Sequence, residues 1–338
     1  MQFQKRCLPA LMALVLLTGC GSTAVQGSVS EDEAVVDEAV VEEAFVQEVS
    51  MEAVEIQEEA VALAGSPAAV PTVLTPVASG TLTQKTDKAV IDYSNTADGY
   101  VMVQYTASTK KKLKAQVKGP SGTTYTYNLT AGKWETFPLS DGSGSYKVTV
   151  FENISGTSYS TVTSTTFTAS LTDEFIPFLT PNQYVNFTAN SQVVTKAQEL
   201  AGSQSDALKK VELIYNYVVK NFTYDKQRAA TVQSGYLPNV DAVLAAKKGI
   251  CFDYAAVMAA MLRSQGVPTK LVVGYSGKVY HAWINVYSEK TGWVDGAIYF
   301  DGTNWKLMDP TFASTAKQSK EIMAYIGNGA NYSAKYIY

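Results

Sequence analysis

The sequence predicts a multidomain chain in which a disordered acidic tether precedes an all-β, immunoglobulin-like sandwich and then an α+β domain. Three observations predict this order. Residues 21–84 carry twelve acidic side chains and no Lys or Arg, residues 85–171 alternate apolar and polar residues, and from about residue 190 apolar residues recur at helical spacing. A chain of 338 residues is long enough for more than one domain.

The N-terminus has the pattern of an export signal. Two basic residues precede an apolar run over 7–17, which is too short to span a bilayer. The run ends in Leu-Thr-Gly-Cys, which resembles the lipobox of bacterial lipoproteins. That resemblance implies that residues 1–19 are a signal peptide, removed by cleavage before Cys20, and that Cys20 is lipidated. We therefore expect an exported protein, anchored by lipid to the bacterial cell membrane and facing outward; an ordinary secretory signal cleaved nearby is the alternative.

Residues 20–84 are predicted to be a spacer. Like charges repel and extend the chain, and the Val and Ala residues between them are too small to build a core. A helix over about 31–63 is the alternative, and it would also act as a stalk. The other 19 acidic side chains and 25 of the 27 Lys and Arg lie in residues 85–338, a net charge of +6. So small an excess over so many residues predicts no nucleic-acid partner.

Residues 85–171 read as a small antiparallel sandwich of immunoglobulin-like size. The module contains no His and no Cys, so we expect a binding, spacing or substrate-presenting role for it. The predicted strands are 90–93, 99–105, 112–117, 123–129, 134–137, 146–152 and 158–171.

Residues 172–338 begin with an expected linker over 175–187 and then turn helical. Four helices are predicted: one ending near Gly202, a longer one capped by Asp206, a short one over 240–246, and one beginning near Cys251 and ended by Gly266. Strands are predicted over 270–275, 280–287 and 305–308.

Cys251 is predicted to be a free thiol, because Cys7 leaves with the signal peptide and Cys20 is lipidated. A small buried apolar residue is the alternative interpretation. At the start of a helix, unpaired backbone N–H groups favour a thiolate, and the N–H of Cys251 itself would face an oxyanion forming on an attacked carbonyl. Asp253, two residues on, is predicted to cap the first turn.

His281 is the only histidine in the chain, and it lies on the polar and aromatic face of its predicted strand. Asp309 ends the last strand, where Pro310 would stop a sheet ladder. A thiol, an imidazole and a carboxylate in this order are the parts of a thiol acyl-transfer site.

Three motifs resemble those of the transglutaminase-like superfamily: 249–255 around the cysteine, 280–283 around the histidine and 308–311 around the aspartate. The resemblance implies a papain-like catalytic domain in which Cys251 is the nucleophile, His281 the base and acid, and Asp309 the residue that orients the imidazole. It also suggests Tyr224 as an aromatic residue that helps to hold the oxyanion.

The superfamily includes protein cross-linkers, peptidases and amidases, so the resemblance implies a protein or peptide substrate. The sequence shows no calcium-binding pattern of the animal enzymes, and one free Cys with one His argues against a zinc site. We therefore expect no metal and no cofactor.

The sequence thus predicts a cell-surface enzyme that forms a thioester on a peptide or carboxamide substrate. Hydrolysis needs only water as acceptor and is favoured over transfer to a lysine amine. The alternative is a non-catalytic surface binding or assembly protein on the same scaffold, although this chain keeps all three triad residues.

Overall fold

The computed structural model describes residues 72–294, 298–300, 305–307 and 332–338. The signal peptide, Cys20, most of the tether and Asp309 lie outside the described residues, and their assignments stay predictions. Residues 77–82, predicted as part of the tether, are instead held on the first sheet: Val77 N–H donates to the Tyr100 hydroxyl at 3.1 Å, and Gly80 N–H to Asp92 Oδ2 at 2.6 Å.

Residues 83–169 form the first unit of the structure. It consists of two antiparallel four-stranded sheets, one in the order β1-β2-β3-β6 and the other in the order β5-β4-β7-β8. Alternate side chains of β3, β4, β5 and β7 enter a shared core, as Leu113, Ala115 and Val117 do in β4. Strands β2 to β8 lie at the positions that the alternating pattern predicts, β1 is additional, and the immunoglobulin-like classification stays a prediction. The strands are β1 (Thr83–Lys85), β2 (Ala89–Asp92), β3 (Tyr100–Tyr105), β4 (Leu113–Lys118), β5 (Thr124–Leu129), β6 (Trp134–Pro138), β7 (Gly144–Ser155) and β8 (Ser158–Ala169).

The residues described after the sandwich form the second unit, in which α1, α2 and α4 pack against α5. Every residue of α5 from Asp253 to Ser264 is buried. Predicted caps are present: the Asp206 side chain accepts from the N–H groups of Leu208 and Lys209 at 2.9 and 3.1 Å. The short helix α3 was not predicted. The helices are α1 (Gln192–Ala201), α2 (Ala207–Asn221), α3 (Lys226–Thr231), α4 (Val240–Ala246) and α5 (Cys251–Ser264).

A sheet in the order β13-β12-β11-β16 packs against α5. Its central strand β12 is buried on both faces from His281 to Val286. The prediction for 305–308 is confirmed as the short strand β15, which pairs with β14 rather than joining this sheet. The remaining strands are β9 (Thr223–Tyr224), β10 (Lys248–Gly249), β11 (Thr269–Ser276), β12 (Val279–Ser288), β13 (Gly292–Val294), β14 (Ile298–Phe300), β15 (Trp305–Leu307) and β16 (Tyr332–Ile337).

Residues 175–187, expected to be a linker, are packed against the second unit. The ring of Phe175 lies 4.1 Å from that of Tyr287, and Phe178 meets Trp293 edge-on at 5.3 Å. The expectation was wrong because Pro177 and Pro181 mark irregular backbone, whereas the aromatic residues between and beside them supply a buried surface.

The buried guanidinium of Arg263 ties three separate segments to the end of α5. It donates to the carbonyl oxygens of Thr180, Thr269 and Tyr338 at 2.8 to 2.9 Å. Burial lowers the pKa of Arg263 to about 9, so the side chain is still a cation at neutral pH. The buried charge is thus hydrogen-bonded to backbone oxygens of three segments.

Candidate active site

Cys251 is the first residue of α5 and is half-buried. Its position at the helix start is as predicted, and it is the free cysteine of the described part of the chain. Ile250 before it is extended, with φ −94° and ψ 176°, so the helix starts abruptly at the thiol. Backbone N–H groups of the first turn have no partner within a helix, and they point toward the region in front of Cys251.

The turn before the thiol is held by a two-stranded parallel ladder. Thr223 pairs with Lys248 and Tyr224 with Gly249, and the N–H of Asp225 donates to the carbonyl of Gly249 at 2.8 Å. The backbone of Tyr224 therefore lies beside the residue two positions before Cys251. Tyr224 is half-buried, and the structure does not test its suggested role in holding an oxyanion.

Asp253 caps the first turn of α5, as predicted, because its Oδ2 accepts the N–H of Ile250 at 2.9 Å. The side chain is fully buried and has two further donors. The hydroxyl of Tyr236 donates to Oδ1 at 2.6 Å, and Nη1 of Arg228 donates to Oδ2 at 3.3 Å. Burial, and after it the hydrogen bond to Asp253, raises the pKa of Tyr236 above its usual range.

His281 lies near the start of β12, opposite Gly274 of β11, and is 5% exposed. It shares a face of the strand with Trp283, whose ring centroid is 6.4 Å away. Because β12 packs against α5, the histidine is carried on the strand next to the helix that carries the thiol.

Tyr280 is the residue before His281, and Cys251 is among the groups that influence its hydroxyl electrostatically. Burial, and after it the nearby Tyr336, Tyr184 and Tyr275 and last Cys251, raise the pKa of Tyr280. Asp309 is outside the described residues, so the third member of the predicted triad has no structural account here.

Sequence reasoning missed the contacts of Tyr236 and Arg228 with Asp253, and it assigned no role to Tyr280. Tyr280 could have been found, because it adjoins the histidine in its motif. Tyr236 and Arg228 could not, because they reach Asp253 across 17 and 25 residues from a loop and a short helix without a periodic pattern.

Neither a metal centre nor a membrane-spanning helix is found in the described ranges. Among residues 72–294, 298–300, 305–307 and 332–338, no three His, Cys, Asp or Glu side chains are grouped so that they could hold a metal ion. Helices in the same ranges are too short or too polar to cross a bilayer.

The half-buried thiol and the buried histidine thus lie on two elements that pack together, α5 and β12. Residues 194–296 match the model of the Transglutaminase-like superfamily, and the chain therefore contains a transglutaminase-like domain. Both Cys251 and His281 fall inside the matched residues.

A relative among curated proteins is the uncharacterised protein YebA of Bacillus subtilis strain 168. It is 29% identical over an alignment of 123 residues, and the match covers 30% of this chain and 17% of YebA. The chain thus spans less than a fifth of the length of that relative.

Three solved structures that align with part of this chain come from different organisms. A candidate cysteine protease from Cytophaga hutchinsonii has 16% identity and a TM-score of 0.33, over 63% of this chain and 71% of that one. The periplasmic domain of TgpA from Pseudomonas aeruginosa has 17% identity and a TM-score of 0.32, over 74% of this chain and 80% of that one. Red sea bream transglutaminase has 14% identity and a TM-score of 0.25, over 63% and 48%.

Proposed function

We propose that this protein is a thiol acyl-transfer enzyme in which Cys251 is the nucleophile and His281 the general base and acid. The observation that carries the proposal is the thiol at the first residue of α5, next to the strand that bears the only histidine of the chain. The transglutaminase-like match over 194–296 supports it.

In the proposed first half-reaction, His281 takes the proton of the Cys251 thiol and Sγ attacks the carbonyl carbon of a peptide or carboxamide. The oxyanion accepts a hydrogen bond from the backbone N–H of Cys251, and the Tyr224 hydroxyl is a second candidate donor. His281 then protonates the departing amine and a thioester remains. A positioned acid–base contributes about 10² to 10⁴ in rate, and one oxyanion donor about 10² to 10³.

In the second half-reaction, water or a lysine amine attacks the thioester carbonyl while His281 takes the proton of the attacking group. The C–S bond then breaks, the acid or cross-linked amide product leaves, and His281 returns its proton to Sγ, which regenerates the thiol. We favour water, which makes the enzyme a peptidase or amidase, because it needs no second substrate. Asp309 is proposed to orient the imidazole of His281.

The proposed setting is the outer face of a bacterial cell membrane, reached by export and held by lipid on Cys20. The substrate would then be a protein or peptide outside the cytoplasm, such as a component of the cell envelope. The basis is the sequence pattern over residues 1–20.

Acylation by p-nitrophenyl acetate tests the proposed chemistry without knowledge of the substrate. Attack by the thiolate forms an acetyl thioester and releases p-nitrophenolate, which is measured by its absorbance, and peptide mass spectrometry locates the acetyl group. We expect acetylation at Cys251, none in Cys251→Ala, and a rate lower by about 10² or more in His281→Gln.

The control is Asp241→Asn, because Asp241 accepts a hydrogen bond from the N–H of Val193 at 3.0 Å and joins α4 to α1, which carry neither Cys251 nor His281. Its acylation rate should match that of the wild type. Equal rates in the wild type and His281→Gln would instead indicate a non-catalytic binding or assembly protein on this scaffold.

A further inference from the structure

The carboxylate of Asp253 has a more elaborate environment than a helix cap requires. A carboxylate that caps the first turn of a helix needs only one backbone N–H donor, which here is that of Ile250. Such caps usually lie at a surface, where water supplies their remaining hydrogen bonds. Asp253 is instead 0% exposed and binds two further side chains, Tyr236 and Arg228.

The donors come from separate parts of the chain. Arg228 belongs to α3, Tyr236 to the loop before α4, and Ile250 to the turn before Cys251. Arg228 Nη1 also donates to the Tyr236 hydroxyl at 2.9 Å, so the three side chains form a closed set. Because a buried charge is costly unless its hydrogen bonds are complete, this set has one favourable arrangement and resists displacement.

Gly249 shows how closely the turn approaches the carboxylate. A Cβ on this buried residue would lie 2.6 Å from Asp253 Cβ and 2.8 Å from its Oδ2. On its other side, Gly249 pairs with Tyr224 in the parallel ladder. The turn that leads to Cys251 is thus held between Asp253 and β9.

We propose that Asp253 is a positioning residue for Cys251, and that its network with Tyr236 and Arg228 fixes the turn so that Sγ and the backbone N–H of Cys251 keep their relative geometry. The inference rests on the proposed function. Asp253 takes no part in proton transfer, because its oxygens are occupied by three donors and its charge is paired with Arg228.

Two thiol reagents separate positioning from general damage. Acylation by p-nitrophenyl acetate forms a tetrahedral oxyanion and needs the N–H of Cys251 in place. Alkylation by iodoacetamide displaces iodide, forms no oxyanion, and needs only an accessible and ionisable thiol. The ratio of the two rates at Cys251 therefore reports the geometry of the turn.

Asp253→Asn replaces one carboxylate oxygen by an amide NH₂ group, which is itself a donor. The variant side chain therefore cannot accept hydrogen bonds from Ile250, Tyr236 and Arg228 together. We expect acylation to fall by about 10- to 100-fold while alkylation falls by less than about 3-fold, since small misplacements cost this much in rate. Tyr236→Phe should lower the ratio of acylation to alkylation by about 3- to 10-fold. Gly249→Ala should lower this ratio as much as Asp253→Asn does, although Gly249→Ala leaves the Asp253 carboxylate intact.

Asp241→Asn is the matched control, and its rate ratio should equal that of the wild type. All rates are measured on full-length chains, below the melting temperature of each variant as followed by circular dichroism. If Asp253→Asn does not fold, Tyr236→Phe and Gly249→Ala decide the question. A ratio in the foldable variants equal to that of Asp241→Asn overturns the inference. Failure of the proposed function looks different, because acylation of the wild type would then not depend on His281.

Discussion

At the scale of single residues, Glu152 shows how a buried acid is kept charged in the first unit. It accepts hydrogen bonds from Lys111 Nζ at 2.6 Å and from the Tyr105 hydroxyl, and Lys88 Nζ lies 3.5 Å away. The hydrogen bond from Lys111, followed by that from Tyr105, lowers the pKa of Glu152 to about 2 from an ordinary value of 4.5.

When the pKa of a carboxyl group is lower in the folded than in the unfolded protein, its charge stabilises the fold at any pH above the unfolded-state pKa. This stabilisation is lost as the pH falls through the folded-state pKa. For Glu152 this window runs from about 4.5 down to about 2. Glu152→Gln should therefore lower the free energy of unfolding at pH 7 by about 1 to 3 kcal/mol. The difference from the wild type should shrink steadily below pH 4.5.

Urea unfolding at a series of pH values measures this effect. Glu199→Gln is the control, because Glu199 belongs to an exposed pair with Lys196 that should contribute little. A Glu152→Gln deficit that does not depend on pH would contradict the account.

The sequence was most informative on residues whose role is local. Cys251 at a helix start and Asp253 as a first-turn cap follow from Gly249 and the apolar spacing after it, and the structure agrees. The Tyr236 and Arg228 contacts to Asp253 did not follow, because hydrogen bonds between distant segments leave no local pattern.

At the scale of elements, α4 ends on a strained residue. Lys247 has φ 48° and ψ 39°, a left-handed conformation that is costly for a residue with a Cβ, and its N–H donates to Val243 O at 2.8 Å. Lys247→Gly should raise the free energy of unfolding by about 0.5 to 1 kcal/mol, because glycine adopts this conformation without strain.

The comparison variant is Ala246→Gly, one residue earlier and still helical, which should lower the free energy of unfolding by about 0.5 to 1 kcal/mol. Thermal or urea unfolding gives both values. Destabilisation by both glycines would show that the Lys247 side chain contributes more than its strained backbone costs.

Elements with several turns or alternations were predictable, whereas very short ones were not. The periods over α1, α2, α5 and β12 identify these elements in the sequence. Strands β9 and β10 have two residues each, too few for a period, although they hold the turn before Cys251.

At the scale of the whole molecule, an aromatic seam joins the two units. Tyr338 lies 5.6 Å from Tyr125 and 5.9 Å from Tyr127 of β5, and 4.4 Å from Tyr184, which in turn meets Phe252 beside the thiol at 5.4 Å. The sequence does not show which tyrosine rings meet, and only the folded chain shows that these rings meet between the units.

Tyr338→Ala should therefore lower the stability of both units together, by about 3 to 5 kcal/mol in total. Hydrogen exchange in β5 and in α5 measures the two sides of the seam separately. Tyr159→Ala removes a buried tyrosine from β8 instead, and faster exchange should then be confined to the first unit. Slower or unchanged exchange in α5 of Tyr338→Ala would contradict coupling through the seam.

The most direct test of the central claim is the rate at which iodoacetamide alkylates Cys251 at pH 7, read by mass spectrometry of the peptide that contains it. The folded wild type should react at least about 10-fold faster than the same thiol in urea-unfolded chains, and His281→Gln should remove most of that advantage. A folded thiol that reacts no faster than the unfolded one, and at the same rate in His281→Gln, would contradict the pairing of Cys251 with His281.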